Sequence, residues 1–82
     1  MKLNENNLLG AVTELRAKGY EDDYIVDRNN LICTNSNKCL AHNDFDVENA
    51  FQFEITENAI DSQFLFTIKD KQTQNKGLLI DL

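Results

Sequence analysis

Cys33, Cys39 and His42 stand in a C-x5-C-x2-H spacing, and Asp44 follows two residues later. Thiolate, imidazole and carboxylate are the groups zinc prefers, and a cysteine beside a histidine is also the pairing that activates a thiol nucleophile. The spacing is loose for both tasks. Zinc sites usually set paired cysteines about two to four residues apart and need four ligands, so Asp44 or Asp46 would have to complete the set. A nucleophilic cysteine needs a base held against it and an oxyanion hole, and acidic surroundings raise a thiol pKa rather than lower it. The plainer reading is a buried structural thiol at Cys33, beside Ile32, and a half-exposed Cys39. His42, Asp44, Asp46 and Glu48 recur with a period of two. An extended segment would send all four to one side, opposite Phe45 and Val47. Such a row can hold a divalent cation, but a solvated strand face that deters edge-to-edge pairing is the ordinary explanation.

The elements that would position these residues are short. Leu8, Ala11, Val12 and Leu15 fall on one face of a 3.6 period, which predicts a helix over residues 3–18 with Asn4 as N-cap and Gly19 as the left-handed C′ residue. Residues 24–27 and 31–34 read as two strands joined at Arg28-Asn29-Asn30, because Asn tolerates positive φ. Residues 39–41 give a short third strand. Phe45 to Ile55 alternates and reads as the central strand, with Phe45, Val47, Phe51 and Phe53 facing the core. Residues 56–62 read as a turn. Residues 63–69 and 77–82 supply two more alternating runs. Short connections predict antiparallel neighbours. The expected fold is therefore α+β: one N-terminal helix packed on an antiparallel meander sheet of four to five strands. The expected core is Leu8, Val12, Leu15, Phe51, Phe53, Phe64, Phe66 and Ile80.

The chain has 82 residues, enough for a single domain spanning 1–82. Net charge is −6, and residues 20–50 hold seven acids against Arg28 and Lys38, a local −5. That field repels phosphate backbones and anionic lipid, so neither nucleic acid nor membrane is an expected partner. No apolar run approaches the ~20 residues of a membrane span, and no secretory leader opens the sequence, which makes a cytoplasmic location with reduced cysteines the expectation. No cofactor signature is present.

Tyr20 and Tyr24 flank the acidic turn that holds Asp22 and Asp23, with Asp27 just beyond. Aromatic side chains inside a charged rim suit a recognition surface. The residues therefore point to a non-enzymatic protein-interaction module. Its partner would be a protein, basic where it meets the acids, docked on Tyr20, Asp22, Asp23, Tyr24 and Asp27 or added as a strand to a sheet edge. The alternative is a small metal-dependent or thiol enzyme centred on Cys33, Cys39, His42 and Asp44. The protein is expected to be a monomer, or a weak homodimer paired through residues 78–82 as an edge strand.

Several short stretches carry a resemblance: Lys18-Gly19-Tyr20, Leu31-Ile32-Cys33, the run from His42 to Val47, Phe51-Gln52-Phe53-Glu54 and the run from Lys76 to Asp81. In these the chain resembles a family of small uncharacterised bacterial proteins. Members often carry the label phosphoribosylpyrophosphate synthetase, although they are about this size and have no established function. Similar sequences tend to have Pro where this chain has Asn43 and Arg where it has Gln52. The enzyme label fails on chemistry. A ribose-phosphate loop needs clustered glycines and hydroxyls so that backbone amides cradle the phosphate, and here Gly10, Gly19 and Gly77 are isolated.

Overall fold

Asn7 starts the helix. Its side-chain oxygen accepts a hydrogen bond from the Gly10 amide at 2.7 Å, and its own backbone is extended. The computed structural model describes residue 3, residues 7–54 and residues 62–81. The helix is thus capped by Asn7 and begins at Leu8, not at residue 3 with Asn4 as its cap as the spacing predicted, and the expected turn at 56–62 lies outside the described residues, apart from Ser62. Helix α1 runs Leu8–Ala17 and ends at Gly19, whose φ of 100° is the left-handed C′ conformation expected of it. Arg16 then ties the corner. Its guanidinium donates to the carbonyls of Tyr20, Glu21 and Asp22 at 2.9, 2.8 and 3.3 Å, and also pairs with the Asp23 carboxylate.

Six strands follow: β1 Asp22–Asp27, β2 Asn30–Cys33, β3 Lys38–Leu40, β4 Phe45–Glu54, β5 Ser62–Asp70 and β6 Lys76–Asp81. The β1–β2 hairpin has a two-residue turn with positive φ at Arg28 (57°) and Asn29 (95°), the backbone that matches strand twist. The sheet order is β3-β2-β1-β6-β5-β4. The α+β class stands, but the antiparallel meander of four to five strands does not: the sheet has six strands and is mixed, because β1 and β6 run parallel in register Asp22–Gly77 to Tyr24–Leu79. Short connections dictate antiparallel pairing only for sequence neighbours. The central pair joins the first strand to the last, which no loop length constrains. It follows that β6 is not an edge. It is hydrogen-bonded to β1 and β5, so the expected self-pairing through residues 78–82 has no free strand side to use where β1 reaches. Nor is Phe45–Glu54 central: β4 is an edge.

The two edges, β3 and β4, are joined by residues 41–44 alone. A flat sheet of six strands is about 24 Å across between its outer strands. Five steps of chain reach at most about 17–19 Å. The sheet must therefore curl. Leu40 and Phe45 meet Tyr24, Leu31, Cys33 and Ile68 on its concave side, here called the open face. Lys38 on β3 reaches across to Asp70 at the end of β5, Nζ to Oδ2 2.9 Å, and the Lys71 amide donates to the Asp44 carbonyl at 2.9 Å. The helix covers the opposite, convex side. Ala11 and Leu15 pack there with Tyr20, Phe53, Leu65 and Leu78.

The aromatic set expected on one face is divided between two. The β4–β5 register slips between Val47 and Asn49, leaving Glu48 as the extra residue of a bulge. Before the bulge Phe45 faces the open side, and after it Phe51 and Phe53 face the helix. Phe66 packs on the open-face core, and Phe64 stacks against it with centroids 6.2 Å apart. Of the expected core, Leu15 and Phe53 are buried, while Ile80 is exposed at 42% because it lies beyond the end of the β1–β6 pairing.

Two outcomes follow. Tyr24 lies over Gly77, where an added Cβ would run into the ring and, at 2.5 Å, the Asp22 carbonyl oxygen. Gly77→Ala is expected to lower stability by at least about 1–3 kcal/mol, read as a lower urea midpoint. Asp70 is the second case. Burial alone would raise its pKa, but hydrogen bonds from Lys38, from the Gln72 and Thr73 amides and from the Thr73 hydroxyl outweigh that and hold it below the ordinary 3.8. Its contribution is therefore present above pH 3.8 and lost as pH falls through the lower folded value. Asp70→Asn is expected to cost about 2–4 kcal/mol at neutral pH and to flatten the acid limb of stability against pH. An acid limb unchanged in Asp70→Asn would remove this carboxylate from the account.

Candidate functional site

Curling an apolar strand face without closing it leaves a trough. A cleft of about 260 Å3 lies on the open face, floored by Phe66, Ile68 and Leu79. Val26, Asn29, Asn30 and Leu31 from the β1–β2 hairpin form one wall, and Phe45 and Val47 from β4 form the other. Its polar lining comes from Asn29 in the turn and Asn30 at the start of β2. Val26 and Val47, one from each wall, are 62% and 52% exposed, so the apolar surface is open to solvent rather than roofed. A second hollow, of about 440 Å3, continues from it over Ile25, Ile80 and Asp81 and shares Val26, Phe66 and Leu79. It opens where the β1–β6 pairing ends at Tyr24–Leu79 and the two parallel strands stop bonding to each other. The two hollows together make this concave, apolar stretch the candidate binding surface among the described residues.

The outer side of β4 borders the same cleft. Among the described residues β4 pairs only with β5, so its other row of backbone donors and acceptors faces outward along Phe45–Glu54. Asp46 and Glu48 are exposed on this edge. Asp46 lies opposite Lys69 and within 3.6 Å of the Lys71 ammonium, both on the β5 side.

The residues singled out from sequence are placed elsewhere. Tyr20 and Tyr24 are each 4% exposed. Tyr20 belongs to the helix-side core with Lys76 Nζ 5.3 Å from its ring centre, and Tyr24 to the open-face core. Alternation along β1 turns Tyr24 inward, so neither ring offers contact area to a partner. Asp23 is engaged by Arg16, Asp22 is half-buried and Asp27 is exposed. Cys33 pairs with Lys38, and Cys39 with Ile32, which sends the two thiols to opposite faces. Cys33 is buried and Cys39 exposed, both as free thiols. His42 is exposed in the 41–44 turn, where the Asp44 carboxylate accepts from the Ala41 amide at 3.2 Å. Residues 42–44 are a turn, so the row of four from His42 to Glu48 does not form. Among the described residues no three His, Cys, Asp or Glu side chains gather as a cation site. No helix among them is long and apolar enough to cross a membrane. The cleft itself was signalled in sequence only by Phe45 and Val47, whose facing depends on the bulge.

Comparison with protein-family models, with curated proteins and with solved structures finds no match.

Tyr24 reports on the open face. Burial, with smaller contributions from Cys33, Asp22 and Asp70, pushes its phenol from 10.0 up to about 12. Below pH 10 its contribution to stability is intact. From pH 10 to about 12 the unfolded chain ionises while the folded one stays neutral, so stability falls. Tyr24→Phe keeps the ring and is expected to remove up to about 2 kcal/mol of that alkaline loss, measured as urea midpoints across the range. An unaltered alkaline limb would mean the phenol is wet.

Proposed function

We propose that this protein is a non-enzymatic interaction module that binds a partner protein by strand addition along β4, seating the partner's apolar side chains in the open-face cleft. The observation that carries this reading is the coincidence of edge and cleft: Phe45 and Val47 belong to both. An added strand gains main-chain hydrogen bonds from the edge and a pocket for alternate side chains, which are the two components of strand-addition recognition. The acidic surface between β1 and the helix exit is secondary, since its tyrosines are buried. A thiol or metal enzyme is the weaker reading, because Cys33 and Cys39 diverge. A cytoplasmic setting, in which both cysteines stay reduced, belongs to the proposal.

The test is selection from a random peptide display library, followed by amide chemical-shift mapping. Peptides are expected to perturb Phe45–Glu54 and the β1–β2 hairpin. Val47→Glu puts a charge at the cleft mouth on a half-exposed position, so it should fold normally and lose most binders. Selected peptides that perturb residues 20–24 instead, and bind Val47→Glu equally well, would refute the docking mode.

A further inference from the structure

The chemistry of the partner can be read from the edge it would pair with. This inference rests on strand addition at β4. A strand laid on β4 meets β4's own side chains as cross-strand neighbours, at about 4.5–5.5 Å between Cβ atoms. On the open face those neighbours are Phe45 and Val47, at the cleft wall. On the other face is Asp46, opposite Lys69, and Glu48 lies on that side as well, since its charge, after burial, helps to raise the pKa of the helix-side Tyr20. The pattern offered is therefore apolar, acidic, apolar, acidic in four consecutive residues. β4 carries Asp46, Glu48 and Glu54 and no basic residue along its length.

Asp46 already meets the Lys71 ammonium at 3.6 Å, but both side chains are exposed, so that pair is screened and exchangeable. Of the cations near this edge, Lys69 and Lys71 lie on the β5 side of Asp46 and Lys38 is held by Asp70. Glu48 makes no ion pair among the described residues, and Asp81 closes the far end of the apolar trough. Arg28, at the hairpin tip, stands next to Asp27 in sequence. A second copy of this chain is a poor occupant. Pairing β4 with its own copy would set acidic residues against an acidic edge, and like charges across a strand pair are destabilising.

We infer that β4 selects an extended segment of a partner protein in which apolar and basic residues alternate, the apolar ones entering the cleft beside Phe45 and Val47 and the basic ones pairing with Asp46 and Glu48.

Four synthetic peptides test this, each of about seven residues, the length of an ordinary strand. One alternates valine and lysine. A second alternates valine and glutamate, a third valine and serine. The fourth has the lysines and valines of the first in two blocks. Binding is read by amide shifts and by titration at low and high salt. The alternating lysine peptide should bind with shifts at Phe45–Glu54, at least about tenfold tighter than the glutamate peptide, and weaken with salt. The blocked peptide should lose that advantage, because its lysines no longer share one face. Glu48→Lys, at an exposed position, should reverse the preference between the first two. If lysine, serine and glutamate peptides bind β4 alike, strand addition stands and the charge inference falls. If the blocked peptide binds as tightly as the alternating one, the attraction is general to the acidic chain and the inference is overturned. If none of the four perturbs Phe45–Glu54, the strand-addition reading itself fails. A dimer seen by light scattering without peptide, and dispersed by Val47→Glu, would make a second copy the occupant and overturn the inference.

Discussion

The fold depends on holding a curled sheet curled, and the contact that does so is centred on Asp70. Its carboxylate is almost fully buried, yet it stays ionised because its acceptor capacity is filled. Lys38 donates from the far edge strand, and the Gln72 and Thr73 amides donate from the β5–β6 turn at 2.8 and 3.3 Å. One side chain therefore shapes the turn that brings β6 back beside β5 and fastens β3 across the open face. The Lys71 amide, next in sequence, bonds the Asp44 carbonyl and anchors the connection between the edges. A buried charge with this many donors is costly to disrupt, because removing any one of them leaves the desolvation penalty unbalanced. Lys38 is 38% exposed, so the ion pair is screened and the backbone donors supply much of the hold.

The curl also shapes the open face. It folds the β1–β2 hairpin over toward β4 without completing hydrogen bonds between them, so an apolar trough remains where a closed barrel would have a packed interior. The bulge at Glu48 decides what lines that trough. Without the extra residue, Phe45 and Val47 would share the helix face with Phe51 and Phe53, and the cleft would lose one wall. With it, a single strand serves both cores: its first part builds the open face and its second part the helix-covered one. The same residues then sit at an unpaired edge, where backbone and side-chain recognition can act together.

What was legible in the sequence was whatever is local. The 3.6 spacing of Leu8, Ala11, Val12 and Leu15 specified the helix, Gly19 its end, and Arg28-Asn29 the tight turn, because each depends on residues a few positions apart. The period of two located the strands to within a few residues for the same reason. The net negative charge, and its concentration between residues 20 and 50, was also available at once, because charge is summed from composition and needs no fold.

Tertiary structure alone decided the rest. The β1–β6 pair joins residues more than fifty apart, and nothing within either strand states that they run parallel or that β6 lies inside the sheet. The facing of Phe45 and Val47 turns on one bulged residue, which shifts the period by one and so cannot be told from unbroken alternation in a segment where Asp46 and Glu48 continue the same pattern. Tyr20 and Tyr24 looked like surface residues beside acids, yet Tyr24 has its polar neighbours on the other side of the strand and its ring over Gly77. Asp70 gave no signal at all, one acid among fourteen, because a carboxylate becomes structurally decisive only when distant donors converge on it after the chain has folded.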